Sequence, residues 1–142
     1  MNIQYVDHHQ IDPAKWDCAV LQSPHPLVYG LFNYLNAVCD TQWDALIYND
    51  YEAVFPLPFK KKFGIKYLVQ PVFCQQLGAF GSNDHVSTHD FLSAIHRRFL
   101  RVRLQLNPYF DQKNNARSSQ TKTTFIEALS GKLTYKTNMT IE

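Results

Sequence analysis

Cysteine is scarce in this chain of 142 residues: Cys18, Cys39 and Cys74 are odd in number, widely spaced and without a C-x-x-C pair. That excludes a disulfide framework and a zinc knuckle, and leaves reduced, buried thiols as the expectation. Long apolar runs are missing too, since nowhere do eighteen apolar residues follow one another. The first thirty residues carry Asp7, Asp12, Lys15 and Asp17 where a signal peptide would need a basic start and an apolar stretch. A soluble, cytoplasmic protein is therefore expected. No G-x-S-x-G or similar nucleophile setting is present, and no segment repeats another.

What is present is material for one core: 45% of the residues are hydrophobic and 14% aromatic, enough for a single domain of this length. Charge is uneven. Up to residue 55 seven acidic side chains face Lys15 alone, a net of −6, so the remainder carries +8 of the overall +2. Lys60, Lys61, Lys62 and Lys66, then Arg97, Arg98, Arg101 and Arg103, concentrate the positive charge. Such density suits an anion, although a turn and a helix end favour these residues in any case.

Asp12-Pro13 predicts the start of a first helix with Trp16, Ala19 and Val20 inward. After the break at Ser23-Pro24-His25-Pro26, the spacing of Leu27, Leu31, Tyr34, Leu35 and Val38 predicts a second helix running to about Cys39, so that two helices precede any strand. Residues 43–48 and 51–59 read as a hairpin turning at Asn49-Asp50. Pro56 and Pro58 lie two apart, hence on one hydrogen-bonding edge, and imply an edge or a bulge at that end of the strand. Lys60 to Gly64 is expected as a turn, 65–69 as a strand, and 73–81 as a further strand ending in glycines. Ser87 with Asp90 predicts a capped third helix with the stripe Phe91, Leu92, Ile95 and Phe99. Val102, Leu104 and Leu106 alternate as a strand; residues 107–123 read as a mobile loop, 125–129 as a helical turn and 133–139 as a last strand.

Two constellations stand out for chemistry. His85, His89 and His96 have spacing that would share a helical face, but the cap at Ser87 puts His85 outside the helix, and no metal site is expected. His8-His9 is read as surface. The segment Gln75-Gln76-Leu77-Gly78-Ala79-Phe80-Gly81 is the one most suited to function, because a glycine-bearing turn after a strand exposes amides that hold phosphate when a helix follows directly. Here the helix is expected only near residue 88, which favours a plain glycine turn at a strand end.

The order and wording of Asp12-Pro13-Ala14-Lys15-Trp16-Asp17, Trp43-Asp44-Ala45-Leu46-Ile47, Tyr51-Glu52-Ala53-Val54-Phe55-Pro56-Leu57-Pro58, Lys61-Lys62-Phe63-Gly64-Ile65 and Gln70-Pro71-x-Phe73-x-Gln75-Gln76-Leu77-Gly78 resemble the N-terminal half of bacterial FemAB-like proteins of the GNAT acyltransferase superfamily. The likeness covers residues 10 to 107. It implies an α+β fold with a mixed, mostly antiparallel sheet flanked by helices, one domain over 1–142, and a second GNAT-like half in a longer protein. The Q/R-x-x-G-x-G/A donor loop of GNAT enzymes is matched through Gln75 and Gly78, while Phe80 stands where a small residue is needed. The resemblance thus implies a substrate-side domain of an acyl- or aminoacyl-transferase, inactive alone, whose donor in the full-length protein is acyl-CoA or aminoacyl-tRNA; no cofactor is expected on this chain.

An amine attacks a thioester or aminoacyl ester directly in such enzymes, so no covalent nucleophile is required. Expected acceptor contacts are Tyr29, Tyr67, Gln75 and Gln76, with Lys61 and Lys62 for a phosphate-bearing ligand. The alternative is a non-catalytic binding or assembly module, with a homodimer through an exposed strand edge. A nucleic-acid role through Arg97 to Arg103 is the weakest reading, and no membrane partner is expected.

Overall fold

Asp12 and Pro13 open the first helix, α1 (Pro13–Leu21), as its residue types dictate: an Asp12 carboxylate oxygen accepts from the amides of Ala14 and Lys15 at 2.9 and 3.2 Å. The structure, a computed structural model, describes residues 2–95, 99–107, 110–111, 122–129 and 132–139, the backbone alone being described at 100–101 and in the last two segments. The expected second helix is shorter than its spacing predicts. Val28–Gly30 forms a 3-10 turn, and α2 is Phe32–Cys39. Gly30 lies so close to Phe80 that a Cβ would stand 2.8 Å from the ring, and Trp16 donates its indole N–H to the Gly30 carbonyl at 2.8 Å. The first amide of α2 is capped from α1, by Asp17 at 2.7 Å.

A strand does precede the helices, correcting the expected order. β1 (Ile3–Val6) pairs antiparallel with β2 (Trp43–Tyr48), which forms the anticipated hairpin with β3 (Ala53–Lys62). The turn occupies residues 49–52, with positive φ at Asn49 and Tyr51. Lys60, Lys61 and Lys62 are strand, in contrast to the expected turn. Phe63 and Gly64, at φ 52° and 77°, make the reversal alone, because two residues in the left-handed region complete a hairpin. β4 (Ile65–Val69) follows.

Only Phe80–Gly81 of the expected strand at 73–81 pairs with β3, as β5. β4 and β5 are two halves of one interrupted strand. β4 meets β3 at Phe59 to Lys62 and β5 meets it at Ala53 and Val54, leaving Pro56 and Pro58 opposite the interruption. Phe59 donates to the Gln42 carbonyl on the β2 side, so the alternating positions 56 and 58 point the other way, where a proline has no amide to lose. The prolines thus mark a break in pairing, although β3 itself lies inside the sheet.

The capping box is present at α3 (Thr88–Ala94), with Ser87 and Asp90 bonded reciprocally. Hydrogen bonds from the Ser87 amide and hydroxyl hold the Asp90 carboxyl below its ordinary range. A carboxyl depressed in the folded state adds stability above its unfolded pKa, and loses it as pH falls through the folded value. Ser87→Ala is expected to cost about 1 kcal/mol at neutral pH, with a smaller difference from the parent once acid has protonated Asp90 in both; equal urea midpoints at neutral pH would contradict this. Phe99 is not part of the helical stripe: Ile95 turns extended and Phe99 begins β6 (Phe99–Leu106), parallel to β4. Residues 125–129 are strand and not a helical turn, lying within β7 (Lys122–Leu129), which runs antiparallel to β6 and to β8 (Lys132–Met139). The expected loop at 107–123 lies mostly outside the described residues.

The result is an α+β fold on a mostly antiparallel sheet in the order β1-β2-β3-β4-β6-β7-β8. One face packs Leu46, Phe55, Leu57 and Leu68 against Phe91 and Leu92 of α3. The other packs Trp43, Ala45, Ile47 and Val54 against Trp16, Val20 and Leu35 of α1 and α2. No described helix is long and apolar enough to cross a membrane.

Candidate functional site

Between the halves of the interrupted strand, residues 71–76 leave the sheet and return at Leu77, which bridges parallel to Leu106. The excursion is pinned at several points. Gln70 replaces the missing strand: its side-chain oxygen accepts from the Gln105 amide at 3.1 Å, and its amide nitrogen donates to the Cys74 carbonyl at 2.9 Å. Tyr34 donates its hydroxyl to the Phe73 carbonyl at 2.8 Å. So held, the loop presents Val72 and Phe73 at 69% and 81% exposure, and Phe73 adopts φ 68°, which a bulky side chain rarely does.

Beside the excursion lies an open cleft of about 330 Å³. Its walls come from the end of α2 (Val38, Cys39, Asp40), from β3 (Pro58, Lys60) and from Val69 to Val72. Burial pushes the Cys39 thiol up to about 12 and the nearby Cys74 thiol up to about 11. Neither supplies a thiolate nucleophile at neutral pH.

The six residues expected to contact substrate fall into two groups. Tyr29 packs edge-on against Tyr34, which anchors the excursion carrying Gln75 and Gln76. Lys61, Lys62 and Tyr67 lie on the β3–β4 hairpin, where Lys61 registers with Lys66 and Tyr67 with Lys60. Strand alternation therefore sets Lys61 on the sheet face of α3, and Lys62 with Tyr67 on the face of α1 and α2. None of the six lines the cleft.

The segment 77–81 is buried, and its glycines serve close backbone packing. At Gly78 a Cβ would meet the Asn107 amide nitrogen at 3.1 Å; at Gly81 it would meet the Glu52 carbonyl oxygen at 2.4 Å. The amides of Leu77 and Gly81 are taken by the Gln105 carbonyl and the Ser23 hydroxyl. α3 begins only at Thr88, so these amides do not converge on a helix start as a phosphate cradle requires.

A polar cluster that composition did not reveal ties β1, β2 and β4 together. The buried Asp44 accepts from the Tyr5 hydroxyl, from Lys66 Nζ at 2.5 Å and from the His8 amide at 3.0 Å. Lys66 Nζ also sits 4.3 Å from the Phe59 ring centroid. The one available signal was an aspartate at an inward position of a predicted strand. His8 is half-buried and stacks on Phe32 at 5.6 Å, correcting its surface assignment. Among the described residues no three His, Cys, Asp or Glu side chains are grouped to hold a metal ion. Compared with protein-family models, curated proteins and solved structures, the chain matches none.

Proposed function

We propose that this chain is the substrate-side domain of a GNAT/FemAB-like acyl- or aminoacyl-transferase. The observation that carries the reading is the strand interruption, which opens a pinned cleft in the sheet while the glycine segment beside it has its Leu77 and Gly81 amides occupied. A mixed sheet with α1 and α2 on one face and α3 on the other is compatible with the arrangement the sequence resemblance implies. The cleft accepts the amine. The donor, acyl-CoA or aminoacyl-tRNA, is held by a second GNAT-like half, because a pyrophosphate at 77–81 would lose several charge-assisted bonds. Catalysis consists of positioning: the free amine attacks the acyl carbon, and the leaving group departs either as a thiolate, the ammonium proton passing to solvent or a nearby base, or as the tRNA hydroxyl, whose oxygen takes up that proton.

Hydrogen exchange tests the division of labour. Amine acceptors are expected to slow amide exchange around 69–76, while acetyl-CoA leaves the chain unprotected and shows no micromolar heat of binding. Protection of 77–81 by acetyl-CoA would overturn the proposal. A non-catalytic assembly module is the second reading, favoured by the exposed Val72 and Phe73. It requires protection of 71–76 that rises with protein concentration and ignores amines.

A further inference from the structure

The cleft beside the excursion carries two charges of opposite sign on an apolar wall. Asp40 closes α2 in the left-handed conformation, at φ 50° and ψ 47°, where the helix's last carbonyls add negative potential. Lys60 enters from β3, and Lys62 lies two residues further along the same strand face. Val38, Pro58, Val69 and Val72 line the same cleft. Asp40 and Lys60 both line the cleft without forming an ion pair with each other, and among the described residues neither charge has another ion-pair partner.

We infer that this cleft binds an α-ammonium carboxylate with an apolar side chain, a free amino acid or the equivalent group of a larger molecule. The ammonium lies at Asp40 and the α2 end, the carboxylate at Lys60, and the side chain on the valine and proline wall. A ligand of one charge would leave the opposite end unmatched, and a neutral one would leave both. The Phe73 backbone supports a built site: a bulky residue is kept at φ 68° by the Tyr34 and Gln70 bonds, strain that persists only where the surroundings impose it. The inference deepens the substrate-side reading and rests on it only for the ligand's role as acceptor amine; binding is measured without any donor.

The experiment is a titration of the labelled chain with L-leucine, leucinamide and N-acetyl-leucine, followed by amide resonances. Leucine is expected to move signals of residues 38–42 and 69–72. Leucinamide, lacking the carboxylate, and N-acetyl-leucine, lacking the ammonium, are each expected to bind roughly fivefold more weakly. Asp40→Asn should weaken leucine by the same factor and leave N-acetyl-leucine unchanged; Lys60→Met should weaken leucine and leave leucinamide unchanged. Both side chains are exposed, so both variants are expected to fold. Unmoved resonances at these positions, or equal binding of all three compounds, would overturn the inference while the exchange test of the transferase reading still stands.

Discussion

Gly81→Ala is expected to lower folding stability by at least about 3 kcal/mol, a large part of the margin of a domain of ordinary stability. Gly81 sits at φ +134°, and a Cβ there would stand 2.4 Å from the Glu52 carbonyl oxygen and 2.7 Å from the Ala53 Cα. These are backbone atoms of β3 and its turn, so relief requires moving a central strand. Its amide bonds the Ser23 hydroxyl at 2.6 Å, which ties β5 to the end of α1. The comparison is Gly64→Ala in the β3–β4 turn. Gly64 also has positive φ, +77°, but nothing lies within 4 Å of its Cβ position. Only the left-handed backbone cost of about 1–2 kcal/mol applies there. Urea unfolding of both variants is the measurement, and equal losses would show that β5 can shift away from β3.

These two glycines explain why the fold was only partly legible. Local chemistry was readable: Asp12-Pro13, Ser87 with Asp90, and the β-rich runs about Asn49-Asp50 act on neighbours, and each formed where its residue types required. The failures lie where a distant partner decides. Phe99 fits the spacing of a helix from Phe91, yet pairing beside Lys66 draws it into β6. Residues 125–129 resemble a helical turn until β6 and β8 lie on both sides. β1 has only four residues, and its signal is the register of Ile3 with Tyr48 and of Tyr5 with Leu46. The cleft escaped notice for the same reason: Asp40, Pro58 and Val69 meet only once the strand is interrupted.

The interruption itself was half-visible. Pro56 and Pro58 announced a missing hydrogen-bond partner, but a proline pair cannot tell an outer edge from an internal gap. What filled the gap was Gln70, whose side-chain amide bonds Gln105 and Cys74 in place of a strand. Gln70 drew attention only through the family resemblance, and nothing in its type distinguishes it from Gln75 or Gln76.

The Asp44 cluster provides the second large effect. Asp44→Leu removes the carboxylate that accepts from the Tyr5 hydroxyl, Lys66 Nζ and the His8 amide together, and leaves the Lys66 ammonium beside the Phe59 ring with the Tyr5 hydroxyl oxygen at 3.2 Å in place of a counter-charge. Breaking a fully buried pair costs about 3–5 kcal/mol. The Lys66 side chain keeps 22% exposure against 4% for Asp44, so water recovers part of the ammonium's solvation and the expected loss is about 2–3 kcal/mol. Removing all three polar side chains is a different experiment, because it leaves no cation without its carboxylate and orphans only the His8 amide. Tyr5→Phe, Asp44→Leu and Lys66→Met combined are expected to be more stable than Asp44→Leu alone by at least about 1 kcal/mol, as apolar side chains fill the site. Urea midpoints of the parent, the single and the triple variant decide between the accounts. A triple variant less stable than the single one would mean that the network contributes net stability beyond its desolvation cost, and that β1 depends on it for docking to β2.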